Sequence, residues 1–354
     1  GRTALHHAAA SGHQDIALFL LQRQADPALA DQAGRTPLHQ AVYSGMKDLL
    51  KPLADHGADI HAPDIRGRTP LHTALREQAC ESLISALLTL GSDVQSADFH
   101  GETILHAAAV FSSPEITAAL IASGSEVSRT DHSGSTPLLR ALEAERTDTA
   151  AVLLEHGSSL FASGEAALIL HHRELIELLG DLHRIEETDV HGSTLLHSAA
   201  ISAAPPEIIT VLLEQGIALE AKTSRGSTAL HEAAEAGSWD ALALLLTHGA
   251  DPFTRTPDGK TPMEYILGAP RDRMKQLFTE ELLHTSGPHG TTPLMIAASK
   301  QLTEGVSLLL ELGVDILAPD ASGRTALHIA AELDAVPVML QLIRESQRLD
   351  IRDH

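Results

Sequence analysis

An all-α solenoid of stacked helix-turn-helix pairs joined by hairpin loops is the fold class predicted for this 354-residue chain. Three observations predict it. A Gly-x-Thr or Gly-x-Ala start recurs at Gly1, Gly34, Gly67, Gly101, Gly134, Gly164, Gly192, Gly226, Gly259, Gly290 and Gly323, at spacings of 28 to 34 residues. Each start is followed by two short apolar stripes at helical spacing, separated by turn residues. No copy holds enough apolar surface to close a core alone, so chain length counts stacked layers and not globular domains.

The copy from Gly226 to Asp258 displays every element. Thr228 caps a helix, and sister copies place proline at the first helical position, as in Thr36-Pro37 and Thr69-Pro70. Leu230, Ala233 and Ala234 fall at i, i+3 and i+4, so the first helix carries one apolar stripe and ends near Gly237. Ala241, Leu242, Leu245 and Leu246 form the stripe of a second helix. That helix stops at His248-Gly249, because glycine tolerates the left-handed cap. The residues from Ala250 to Gly259 are turn chemistry.

Along the chain, residues 1–163 hold the regular copies one to five, although copy five replaces the tetrad histidine with Leu139. Residues 164–191 form a degenerate sixth copy, whose hairpin is shortened and whose Thr-x-Leu-His tetrad is gone; the stack is expected to bend here. Residues 192–354 hold copies seven to eleven, with copy nine irregular around Thr261 to Tyr265 and Pro270. Pro114, Pro205-Pro206 and Pro337 precede second helices, where a missing N–H costs nothing.

The shared pattern, T-x-L-H-x-A-A, then Gly, then L-L-x-x-G-A-D, then D-G, resembles the ankyrin repeat, whose period is about 33 residues. The resemblance implies that His6, His39, His72, His106, His197, His231 and His328 are buried and tie one layer to the next. It also implies that a partner lies on a concave face made by the hairpin tips and the outward positions of the first helices. Carried over by register, that face includes Tyr43, Ser44, Ile65, Arg66, Arg68, Arg76, Glu77, Phe99, His100, Glu102, Val110 and Phe111. Aromatic and arginine side chains concentrate affinity at interfaces, so Tyr43, Phe99 and Phe111 are the expected anchors. The family often places asparagine in the turn after the second helix. This chain has none, and His61, Gln95, Ser128, Glu220, Phe253 and Leu317 stand there, so less uniform pinning is expected.

Charge bounds the function. Asp and Glu number 47 against 25 Lys and Arg, a net charge of −22, which disfavours nucleic acid and favours a basic partner protein. Residues 101–200 carry 15 acids against 5 bases, whereas residues 1–100 carry 11 against 8, so the second hundred is the stronger electrostatic feature. The lone Cys80 excludes an intrachain disulfide. No apolar run approaches the roughly 18 residues of a membrane span. A monomer that is soluble, with the cytoplasm favoured, is expected. The chain starts and finishes inside hairpins in one register, so it is expected to be a segment of a longer array.

Catalytic chemistry finds little support. His231-Glu232-Ala233-Ala234-Glu235 is half of a zinc-protease helix and lacks the second histidine. Asp258-Gly259-Lys260-Thr261 ends like a phosphate loop but has Thr254 where the first glycine is needed, and reads as a hairpin tip. His171-His172, Glu174, Glu177, Asp181 and His183 read as a solvated polar face. No catalytic residue, cofactor or metal is therefore expected. The function expected is a protein-interaction scaffold; the alternative is a recruitment arm of a larger protein or enzyme whose catalytic domain lies outside this segment.

Overall fold

The computed structural model describes residues 1–202 and 204–345. Among them the secondary structure is helical, with 23 α-helices, one short 3-10 turn and no strand. The chain divides into two compact units, Gly1–Leu182 and His183–His354.

In the first unit the first helices of copies one to six are Ala4–Ala10, Pro37–Tyr43, Pro70–Arg76, Ile104–Phe111, Pro137–Glu143 and Glu165–Ile169, each packed on the next. The second helices, Gln14–Gln22, Lys47–Asp55, Glu81–Thr89, Pro114–Ala122, Thr147–Glu155 and Arg173–Asp181, form the other layer. The second unit repeats the plan. Its first helices are Leu195–Ile201, Ala229–Ala236, Pro262–Leu267, Pro293–Ser299 and Ala326–Glu332. Its second helices are Pro206–Glu214, Trp239–Thr247, Arg271–Leu277, Thr303–Glu311 and Val336–Glu345. Copy nine adds a short helix, Glu280–His284.

The tetrad leucines Leu5, Leu38, Leu71, Leu105, Leu138, Leu196 and Leu230 are no more than 1% exposed. Each contributes on the order of 2 kcal/mol by leaving water. Second helices carry an acid in the first turn, such as Asp15, Asp48, Glu81, Glu115, Asp148 and Glu174, where the helix dipole favours it.

Histidine joins the layers. In copy four the Thr103 backbone N–H donates to His106 Nδ1 at 3.2 Å, so the ring proton sits on Nε2. That Nε2–H donates to the Ser135 carbonyl of copy five at 2.8 Å. The same pair of bonds joins His6 to Arg35, His39 to Arg68, His72 to Glu102 and His197 to Ser227. Two of the seven histidines depart from the expectation. His231 keeps its bond to Thr228, but the Lys260 and Thr254 carbonyls that face it close no bond of ordinary geometry on Nε2, and His328 is only half-buried. The residues beyond Glu345 lie outside those described.

Copy six rebuilds the joint from the opposite side. Copy five has no tetrad histidine, and the fully buried Glu165 of copy six reaches back instead, accepting from Thr136 Oγ1 at 2.5 Å and from the Ser163 N–H at 2.6 Å. The turns after the second helices are pinned unevenly. Gln95 accepts from the Glu126 N–H, Ser128 from that of Ser159 and Glu220 from that of Asp251.

The start glycines sit where tips stack. Gly34 has φ +71°, and a Cβ there would lie 2.7 Å from the Ile65 nitrogen of the next tip; Gly57, with φ +96°, faces open space. Both positions strain an L-residue, but only the first also blocks a neighbour. Gly34→Ala is therefore expected to lower the urea midpoint clearly more than Gly57→Ala, and equal midpoints would refute the stacking constraint.

Burial outweighs the carbonyl bond and holds His39, His72, His106 and His197 below the ordinary imidazole range. The neutral form is native, so their contribution is complete above about pH 6.5 and falls away as acid protonates the unfolded chain first. Each such histidine tilts stability by up to about 1.4 kcal/mol per pH unit below that point. Thermal midpoints are expected to drop steadily from about pH 7 to about pH 5; a flat profile would contradict the role given to these rings.

Candidate functional site

The hairpin tips are built by an aspartate that looks inward. Asp64 Oδ1 accepts from the Arg66 and Arg68 N–H groups at 2.8 and 2.9 Å. Asp31, Asp98, Asp131, Asp189 and Asp320 do the same in their copies. At Asp64 burial pushes the carboxyl pKa up, but these N–H groups and the Arg68 guanidinium together hold it below the usual range. Asp131 is held lower still, because bonds from Ser133 and Arg140 join those of the backbone against its burial. Sequence reasoning missed this role. Its signal is the aspartate that stands three residues before the start glycine.

Neighbouring tips are then laced by their backbones. The Ile65 N–H donates to Ala33, Phe99 to Arg66 and His132 to His100, at 3.1, 2.9 and 2.9 Å. Side chains at the tips are thereby held on a surface whose backbone donors and acceptors are already used.

The twelve sequence-predicted surface residues divide into two groups. Tyr43, Ile65, Arg66, Glu77, Phe99 and His100 are exposed, with Tyr43 at 56%, Ile65 at 63% and Phe99 at 67%. Ser44, Arg68, Arg76, Glu102, Val110 and Phe111 are half-buried and hold neighbours together. Ser44 Oγ donates to the Ala10 carbonyl at 2.8 Å, and Arg68 pairs with Asp64 at 3.3 Å. Arg76 donates to Glu102 at 2.7 Å and lies over the Phe111 ring, 5.0 Å from its centroid. The guanidinium thus links the first helices of copies three and four to a tip. The Val110 carbonyl accepts from Arg146 of copy five at 3.2 Å.

Among the described residues no group of three His, Cys, Asp or Glu side chains is placed to hold a metal ion. In copy six His171, Glu174, Asp181 and His183 are exposed, while Glu177 pairs with Arg173 at 2.7 Å. No helix among the described residues is long and apolar enough to cross a membrane.

Known proteins agree with the repeat. A family model described as "Ankyrin repeats (3 copies)" matches residues 1–64, 71–163 and 266–353, and one described as "Ankyrin repeats (many copies)" matches 212–266. Among curated proteins the chain is similar to human neurogenic locus notch homolog protein 2, at 34% identity over 151 residues. It is also similar to neurogenic locus notch homolog protein 1 of Xenopus laevis, at 31% over 155 residues. These matches cover 42% and 43% of this chain and 6% of each relative's length. By its matched residues, its period and its paired helices, the chain belongs to the ankyrin repeat family.

Proposed function

We propose that this protein is an interaction scaffold that binds a partner protein on the tip face of copies two to four, by recognition and without catalysis. Ankyrin repeats in general mediate protein–protein interaction. The observation that carries the placement is the exposure of Tyr43 at the end of a first helix and of Ile65 and Phe99 on backbone-laced tips, in a chain with only nine aromatic residues. Rigid apolar side chains on a fixed surface lose little entropy on binding and supply most of the energy of an interface. Phe111 serves as the third anchor, with Arg76 over its ring as the cationic edge of the same patch.

The partner is basic, and the scaffold works as a monomer. Support for the charge comes from residues 101–200, where acids outnumber bases 15 to 5. A second reading makes the array the recruitment arm of a larger protein; it draws on the relatives, in which the matched stretch is 6% of a long chain.

Alanine substitution of Tyr43, Phe99 and Phe111, read against a partner recovered with the full chain, is expected to weaken binding by about tenfold or more for each anchor, or about 1.4 kcal/mol. Unfolding midpoints should change little for Tyr43→Ala and Phe99→Ala. Unchanged affinity in all three variants, with loss on substitution of copy eight, would move the site elsewhere. The association rate is expected to fall as salt rises from about 0.05 M to about 0.5 M; a rate indifferent to salt would rule out a basic partner steered by charge.

A further inference from the structure

Copy nine departs from the repeat in its second-helix layer. Its second helix, Arg271–Leu277, has seven residues where Trp239–Thr247 of copy eight has nine, and it ends at Phe278 with extended backbone. The chain then forms the short helix Glu280–His284 before it reaches the next tip. Pro206–Glu214 packs on Trp239–Thr247, and Arg271–Leu277 packs on Thr303–Glu311, but Trp239–Thr247 and Arg271–Leu277 barely touch. The layer parts between copies eight and nine.

The gap is a cavity of about 630 Å³. Leu246, Ala250, Phe253, Leu277 and Leu282 make its wall apolar. Phe253, Leu277 and Leu282 are no more than 7% exposed, so this wall is packed from behind. Gly287 lies against the Phe253 ring so closely that a Cβ there would be 2.5 Å from its Cγ. The inserted helix is held at both ends: Thr279 Oγ1 accepts from the Leu282 N–H at 3.3 Å, and Thr285 Oγ1 donates to the Leu282 carbonyl at 2.7 Å. A preformed apolar concavity of this size closes around one small organic molecule.

Charge selects which molecule. Asp251, Glu280 and Glu281 also line the cavity, and its lining includes no Lys, Arg or His. The Asp251 carboxylate is committed to its own turn, accepting from the Phe253 N–H at 2.9 Å and from Thr254 Oγ1 at 3.0 Å. Glu280 and Glu281 are exposed, and in a chain of net charge −22 their field attracts cations and repels anions. We propose that this cavity binds a small organic cation with an apolar body, the body lying against Leu246, Phe253 and Leu277 and the ammonium group facing Glu280 and Glu281. The site belongs to the second-helix layer of the second unit, so it stands independently of the tip face of copies two to four.

The test titrates the full chain with diphenylpropylammonium and with its anionic match, diphenylpropionate, following heat of binding and the methyl resonances of Leu246, Leu277 and Leu282. Saturable binding of the ammonium compound with shifts of these methyls is expected, and the carboxylate should bind about tenfold more weakly or worse. Glu280→Gln/Glu281→Gln should bring the two ligands within about threefold of each other. Ala243→Phe and Thr247→Trp, one helical turn apart on the same wall, should fill the gap and weaken the ammonium compound about tenfold. Tyr43→Ala and Phe99→Ala should leave its binding intact, which separates this site from the other surface. No saturable binding, equal affinity for the carboxylate, or indifference to both filling variants would each overturn the proposal. Tighter binding of an acetylated and amidated Gly-Phe-Lys-Gly peptide would overturn it in favour of a polypeptide occupant.

Discussion

The imidazole that bonds its own threonine on one side and the next copy's carbonyl on the other is the constraint on which the rest depends. A short helix of seven residues, such as Pro70–Arg76, is too short to persist in water alone. The ring satisfies the end of that helix and spends its remaining proton on the neighbour, so helix capping and layer stacking become one event. The leucine behind it supplies the burial energy, but burial alone leaves the layers free to slide. The directed bond sets their register.

Where the ring is replaced, the neighbourhood changes with it. Leu139 in copy five leaves Thr136 without an imidazole, and Glu165 supplies the missing acceptor from the following copy. Met295 in copy ten places a thioether near the Thr292 N–H, at 3.5 Å, a weaker hold. His231 keeps the ring, and the Lys260 and Thr254 carbonyls face it without closing a bond of ordinary geometry on Nε2. The same position thus yields a joint, a reversed joint or an unclosed one according to what faces it.

Much of this was legible in the sequence because the information is local and repeated. Threonine three residues before histidine, proline at the first helical position and glycine at each start fix helix ends, and eleven copies in one register fix their order. The exposure of Tyr43, Ile65 and Phe99 follows from that register alone. What escaped depends on contacts between copies. Arg76 covers Phe111 from 35 positions away, and Glu165 reaches a threonine 29 positions before it. The unclosed bond of His231 is invisible in a tetrad identical to that of copy one, since it is decided by a neighbouring hairpin. The inward-facing aspartates were also overlooked, although their fixed distance from the start glycine was there to be read.

The reversed bond at Glu165 has a consequence for modularity. Copies one to four each hand the same imidazole donor to the next tip's carbonyl, so this joint stays matched when one of them is exchanged for another. Copies five and six lack that interchangeability. A chimera that takes copy six without its upstream neighbour buries a carboxylate against an imidazole-bearing layer that has no hydroxyl to spare, and the reverse transplant strands a threonine. Evolution or a designer shuffling this array has to move those two layers as one cassette.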